Sequence, residues 1–140
     1  MDTVAIVHYQ RDARSQAVAL ELSEQLHRYE VCSELHDVAH SSAHELIYCD
    51  AIVLAGPLHF SRMHGLALIN ASFAFRPTAL LLTGAGDTDR VLRLLPAHMR
   101  EKVPVFLVGP REVIAPGIDA LVTWLRGAIG TGGYRSVSRT

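Results

Sequence analysis

Two loops in this sequence gather residues able to hold an anion and a flat ring. The first is Tyr9–Arg14, set between a short apolar run, Thr3–His8, and a helix-patterned segment from Ser15 to about Tyr29. A loop of this kind, between a strand and a helix, aims free backbone N–H groups and the positive end of the helix dipole at one point. That combination binds phosphate. Arg11 and Arg14 add charge, and Ser15 adds a hydroxyl donor near the helix start. The loop has no glycine, and Ala13 cannot take the positive φ that a glycine could. The competing reading is a solvated turn in which Asp12 or Ser15 caps the helix. The residues of the loop leave both readings open.

The second loop is Gly56-Pro57-Leu58-His59-Phe60-Ser61-Arg62-Met63-His64. A conjugated ring needs apolar surface to stack on and backbone polar groups at its edge. Leu58, His59, Phe60 and Met63 offer the first, and the backbone of Gly56–His59 offers the second. The competing reading is a surface loop whose Phe60 folds back onto the core. His59 is the candidate catalytic residue, because an imidazole at the ring edge titrates in the range that suits proton transfer. A further turn, Gly84-Ala85-Gly86-Asp87, contributes Gly84 to the candidate binding positions.

Other chemistries find little support. His36, His40 and His44 recur at four-residue intervals, but the run crosses a strand end, a loop and a helix start, and no cysteine or carboxylate joins them in a metal-ligand pattern. No serine stands in a nucleophile elbow, and no Walker loop is present. Cys32 and Cys49 read as small buried thiols rather than a disulfide. Trp124 reads as a core or interface residue. The net charge of −1 supplies no field for nucleic acid or an anionic membrane.

The elements that position these loops follow a strand–helix rhythm over 140 residues, which predicts one domain, residues 1–140, with a loose Gly-, Ser- and Arg-rich tail from about 130. Hydrophobic residues make up 49% of the chain, enough for a core covered on two faces. Strands are predicted at Thr3–His8, Val31–Leu35, Ala51–Ala55, Thr78–Leu82 and Val103–Val108. Helices are predicted from Ser15 to about Tyr29, after Ser41 or Ser42 through Tyr48 with Glu45 as a capping partner for Ser42, from Met63 to Phe73, and along the stripe Ile118, Leu121, Val122, Leu125 and Ile129. A helix around Val91–Leu95 should break at Pro96. Parallel strands joined by right-handed crossovers give a doubly wound α/β sheet of order 2-1-3-4-5. Its ligand site lies where the winding reverses, between strands 1 and 3, so the two loops should share one crevice. No signal peptide and no apolar run of membrane-spanning length is visible, so a cytoplasmic protein with no transmembrane segment is expected.

The chain resembles the flavodoxin superfamily, and within it the flavodoxin-like, menaquinone-dependent protoporphyrinogen oxidases. One carrier of the likeness is Val4–Ser15, where those proteins show a strand, a Ser-Thr-Arg-Asp-Gly-type loop and a hydroxyl residue. Arg11-Asp12 and Ser15 match as they stand. The other is Cys49–Gly65, where His59-Phe60 stand at a basic-aromatic pair and His64 at a histidine. Weaker similarity continues through Val105–Pro110 and Gly132-Gly133. The resemblance implies a flavin mononucleotide (FMN) cofactor, two-electron chemistry, and a quinone or tetrapyrrole partner, with a homo-oligomer left open. The cofactor-binding residues it implies are Gln10, Arg11, Asp12, Ala13, Arg14, Ser15, Gly56, Pro57, Leu58, His59, Phe60 and Gly84. Three departures stand out: Tyr9 and Gln10 replace small hydroxyl residues, Ala13 replaces a glycine, and Gly84–Lys102 is short. Tyr9, Gln10 and Ala13 carry the alternative function, a flavodoxin-like domain that has lost FMN and acts as a binding or assembly module.

Overall fold

The computed structural model describes residues 2–9, 11–57, 64–84, 89, 93, 95–109 and 114–130. Its five strands are β1 (Thr3–His8), β2 (Cys32–Asp37), β3 (Ala51–Pro57), β4 (Thr78–Thr83) and β5 (Val105–Val108). They form one sheet in the order β2-β1-β3-β4-β5, and every pairing is parallel. The predicted topology is the observed one.

β1, β3 and β4 are buried on both faces because their apolar runs are continuous, and alternate residues feed two separate cores. Val4, Ile6, Val53, Ala55, Ala79 and Leu81 pack beneath α1 (Ala13–Arg28) and the C-terminal helices. Ala5, Val7, Ile52, Leu54, Leu80 and Leu82 pack on the opposite face. That face is covered by α2 (Ala43–Leu46), α3 (His64–Ser72) and α4 (Ala97–Arg100). The C-terminal stripe divides into α5 (Ile114–Gly117) and α6 (Asp119–Gly130), with Trp124 half-buried against the first core.

Boundaries differ from expectation where an apolar residue closes a turn instead of pairing. Val31 is buried, but its N–H returns to the Leu26 carbonyl at 3.0 Å, so β2 starts one residue later and runs on to Asp37. Val103 likewise donates to Met99 O at 2.9 Å, and β5 starts at Val105. α1 starts two residues earlier than predicted, because Asp12 is the N-cap. Ser42 flanks α2 and its hydroxyl meets Glu45 Oε1 at 3.2 Å, but it makes no side-chain bond to the helix backbone. Helix structure resumes after Pro96, which sits at the N-cap of α4. Of the predicted helix Val91–Leu95, residues 91, 92 and 94 lie outside the described residues, as does the tail from 131.

Candidate functional site at the switch point

The winding reverses between β1 and β3, so their C-terminal ends open one crevice. His8 pairs with Ala55 in register, and the next residues, Tyr9 and Gly56, face each other across the mouth. Tyr9 is buried, and its ring lies against Gly56. A Cβ at position 56 would stand 2.2 Å from Tyr9 Cε2 and 2.5 Å from Cδ2. Gly56 is therefore needed for the space it leaves to the ring. Sequence reasoning placed Tyr9 in a polar loop and did not count it among the site residues. The available signal was an aromatic residue and a glycine at equivalent ends of two predicted neighbouring strands.

On the first loop, Asp12 donates its N–H to Tyr9 O and its side chain caps α1. Asp12 Oδ2 accepts from the Ser15 N–H at 3.0 Å and also from the Ser15 hydroxyl, which is fully buried. The capping reading that the sequence left open is thus present, through Asp12. Arg14 turns across the domain, and its Nη2 donates to Gly109 O, just beyond β5, at 3.0 Å. Arg11 is exposed at the loop, and so is Ala13. The structure thus brings Arg11, Asp12, Ala13, Arg14 and Ser15 to one side of the mouth, and Gly56 and Pro57 to the other. Gly84 lies one strand further on, at the end of β4, with a φ of 122° that favours glycine, and its N–H donates to Val108 O. Gln10, Leu58, His59 and Phe60 lie outside the described residues, as do Ser61, Arg62 and Met63.

These residues fit an anionic group at the loop mouth. The N-terminus of a sixteen-residue helix points there, the first-turn N–H of Ala13 has no acceptor within the helix, and Arg11 supplies positive charge. The Asp12 carboxylate works against a second anion, although its Oδ2 is already bonded to Ser15.

His8 is a titratable group at the same strand end that sequence reasoning passed over. Its Nδ1 is buried without a hydrogen-bond partner among the described residues. Burial pushes its pKa down. The charge of Asp37 partly offsets this, and His36 adds to the lowering. A histidine that protonates less readily when folded contributes stability that is complete above its ordinary value of 6.5 and declines as pH falls below it. Urea denaturation at stepped pH should show this slope in the wild type and a flatter one in His8→Gln. Identical slopes would remove His8 as its source.

The thiols differ from expectation. Both are free, but only Cys49 is buried, and Cys32 is exposed because it lies on the edge strand. Burial, together with the neighbouring Glu34 carboxylate, pushes the Cys49 thiol up to about 11. Among the described residues no group of three His, Cys, Asp or Glu is placed to hold a metal ion. His36 instead meets Glu34 at 3.1 Å, and His40 meets Asp37 at 2.8 Å. Two open depressions, of about 530 and about 480 Å³, flank the C-terminal end of α1, at the opposite end of the sheet from the crevice.

No protein-family model matches the sequence, and no curated protein matches it in sequence. Solved structures do match it. A short-chain flavodoxin associated with a non-canonical PDU bacterial microcompartment superimposes with a TM-score of 0.67, covering 95% of this chain and 100% of its own, at 14% identity. The chain has the flavodoxin fold. A flavodoxin from the domain Archaea shares that fold at a TM-score of 0.58 and 16% identity, covering 86% of this chain and 99% of its own. A putative quinone reductase from Klebsiella pneumoniae matches at 0.61 and 9% identity, covering 94% and 85%. Flavodoxin-fold chains as short as this one therefore exist, and the fold extends to proteins described as quinone reductases. Among the described residues no helix is long and apolar enough to cross a membrane.

Proposed function

We propose that this protein is a flavodoxin-like redox protein that binds FMN at the crevice between β1 and β3. The observation that carries the reading is the anion-competent start of α1, set at the switch point of a flavodoxin fold. Arg11, the Ala13 N–H and the α1 dipole would hold the phosphate. Pro57, Leu58, His59 and Phe60, with Gly84 nearby, would meet the ring. When bound, FMN supplies one- or two-electron transfer. The chain's part is to bind, orient and exclude water, with His59 holding or moving a proton at its imidazole. Quinone reductases among the structural neighbours support a quinone as electron partner. The finer reading, a relative of the protoporphyrinogen oxidases acting on a tetrapyrrole, rests on the motifs at Arg11-Asp12 and His59-Phe60. We read the site as that of a single cytoplasmic domain spanning residues 1–140.

A second reading has its own support. Asp12 already fills the cap of α1 with negative charge, and the Tyr9 ring occupies the strand ends. Both favour a flavodoxin-fold module without FMN.

Titrating the apoprotein with FMN separates the two. The first reading expects yellow protein with flavin absorbance bands. It also expects affinity to fall roughly tenfold or more in Arg11→Ala, as a charge-assisted bond is lost. Quinone turnover should then fall in His59→Ala with flavin still bound. A colourless protein at saturating FMN would overturn it and leave the module.

A further inference from the structure

We propose that β2 pairs with β2 of a second copy of this chain, antiparallel and centred on Leu35. Among the described residues β2 is the edge of the sheet, and its one pairing is with β1. Cys32 donates its N–H to Asp2 O, so Cys32, Glu34 and His36 turn their backbone groups toward β1. By alternation Ser33 and Leu35 turn theirs outward, as does Asp37, whose carbonyl also accepts from the Ser41 hydroxyl at 2.7 Å. The strand is six residues of unbroken register and contains no lysine, proline or bulge, three of the devices that protect an edge; its charges, Glu34 and Asp37, are ones the pairing must accommodate.

Only some registers let outward groups meet outward groups. Centring on Glu34 sets carboxylate against carboxylate, and centring on His36 sets imidazole against imidazole while shortening the overlap. Centring on Leu35 makes Leu35 and its copy exchange two backbone hydrogen bonds. It also sets Glu34 opposite the partner's His36 and His36 opposite the partner's Glu34. Those two pairs fall at the closer, non-hydrogen-bonded positions, where side chains interact most strongly. Within one chain His36 and Glu34 already meet at 3.1 Å, so the four groups would form one alternating cluster.

The flank adds apolar surface. Leu35 is 44% exposed and Leu20 of α1 is 55% exposed. The Ser23–Ser33 hydroxyl contact at 2.5 Å sets the alignment of α1 on β2. One helix turn back from Ser23 and two strand residues on from Ser33 bring Leu20 and Leu35 to the same flank. In this register the partner chain beyond its Asp37 runs past Cys32, where the open depression beside Glu24, His27 and Arg28 leaves room.

The test is sedimentation velocity over a wide concentration range, with far-UV circular dichroism to verify folding of each variant. The wild type should dimerise. Glu34→Lys removes the carboxylate that faces His36, and His36→Glu sets Glu against Glu34. Each should weaken dimerisation by about tenfold or more, since two pairs are broken at once. The double variant Glu34→Lys/His36→Glu places opposite charges across the same register and should recover the dimer, an outcome that loss of folding cannot imitate. A wild type that is monomeric at all concentrations overturns the proposal. Single variants with unchanged association, or a double variant no better than the singles, also overturn it. The result does not depend on whether flavin is bound.

Discussion

Gly56→Ala is expected to destabilise the fold by about 1–3 kcal/mol, and by more if the strands cannot yield. The added carbon has nowhere to go, being 2.2 Å from one Tyr9 ring carbon and 2.5 Å from the next. Residue 56 lies in the middle of a parallel sheet, paired with Leu82, and its carbonyl accepts from Thr83 Oγ1 at 3.5 Å, which limits backbone adjustment. Tyr9→Ala alone should cost about 3–5 kcal/mol, as large-to-small changes at buried aromatic residues do. The two changes share a space, so their effects should not add, and the double variant should be more stable than the sum of the singles implies. Urea denaturation of the four proteins measures the coupling. Strict additivity would show that the ring does not abut position 56.

Arg14→Ala should cost roughly 1.5–3 kcal/mol, the range for a hydrogen bond from a charged donor. Arg14 lies on the first turn of α1, and its guanidinium reaches Gly109 O across 95 residues of sequence. Arg14→Lys keeps the charge but not the planar fork, and should recover only part of the loss. Stability measured without FMN is the decisive readout, because a residue serving only a phosphate would leave it unchanged.

The fold was legible because β1, β3 and β4 are continuous apolar runs separated by amphipathic helices, a pattern with few solutions. The errors fell on Val31 and Val103, which are apolar because they plug turns. Their patterning resembles that of strand residues, while their N–H groups close helices. At the site, the adjacency of the β1 and β3 ends followed from strand order, while most of the second loop lies outside the described residues. The capping role of Asp12 was one of two readings, and only geometry separated it from the other. The contacts Tyr9–Gly56 and Arg14–Gly109 were not legible, since no local period relates residues so far apart. Cys32 was misread although the order 2-1-3-4-5 already put its strand at the edge, where one side lacks a neighbouring strand.

The Arg14–Gly109 bond also has a consequence for the order of assembly during synthesis. β1 emerges first and waits for β2 and then β3, its two neighbours in the sheet. At ribosomal rates of about 5–20 residues per second, the Gly109 carbonyl follows Arg14 by roughly 5 to 20 s. For that interval the guanidinium at the head of α1 has no native acceptor at residue 109. The helix can pack on the early strands meanwhile, but its final seating waits for β5. The bond therefore acts as a late latch, closed only once the last strand has joined the sheet.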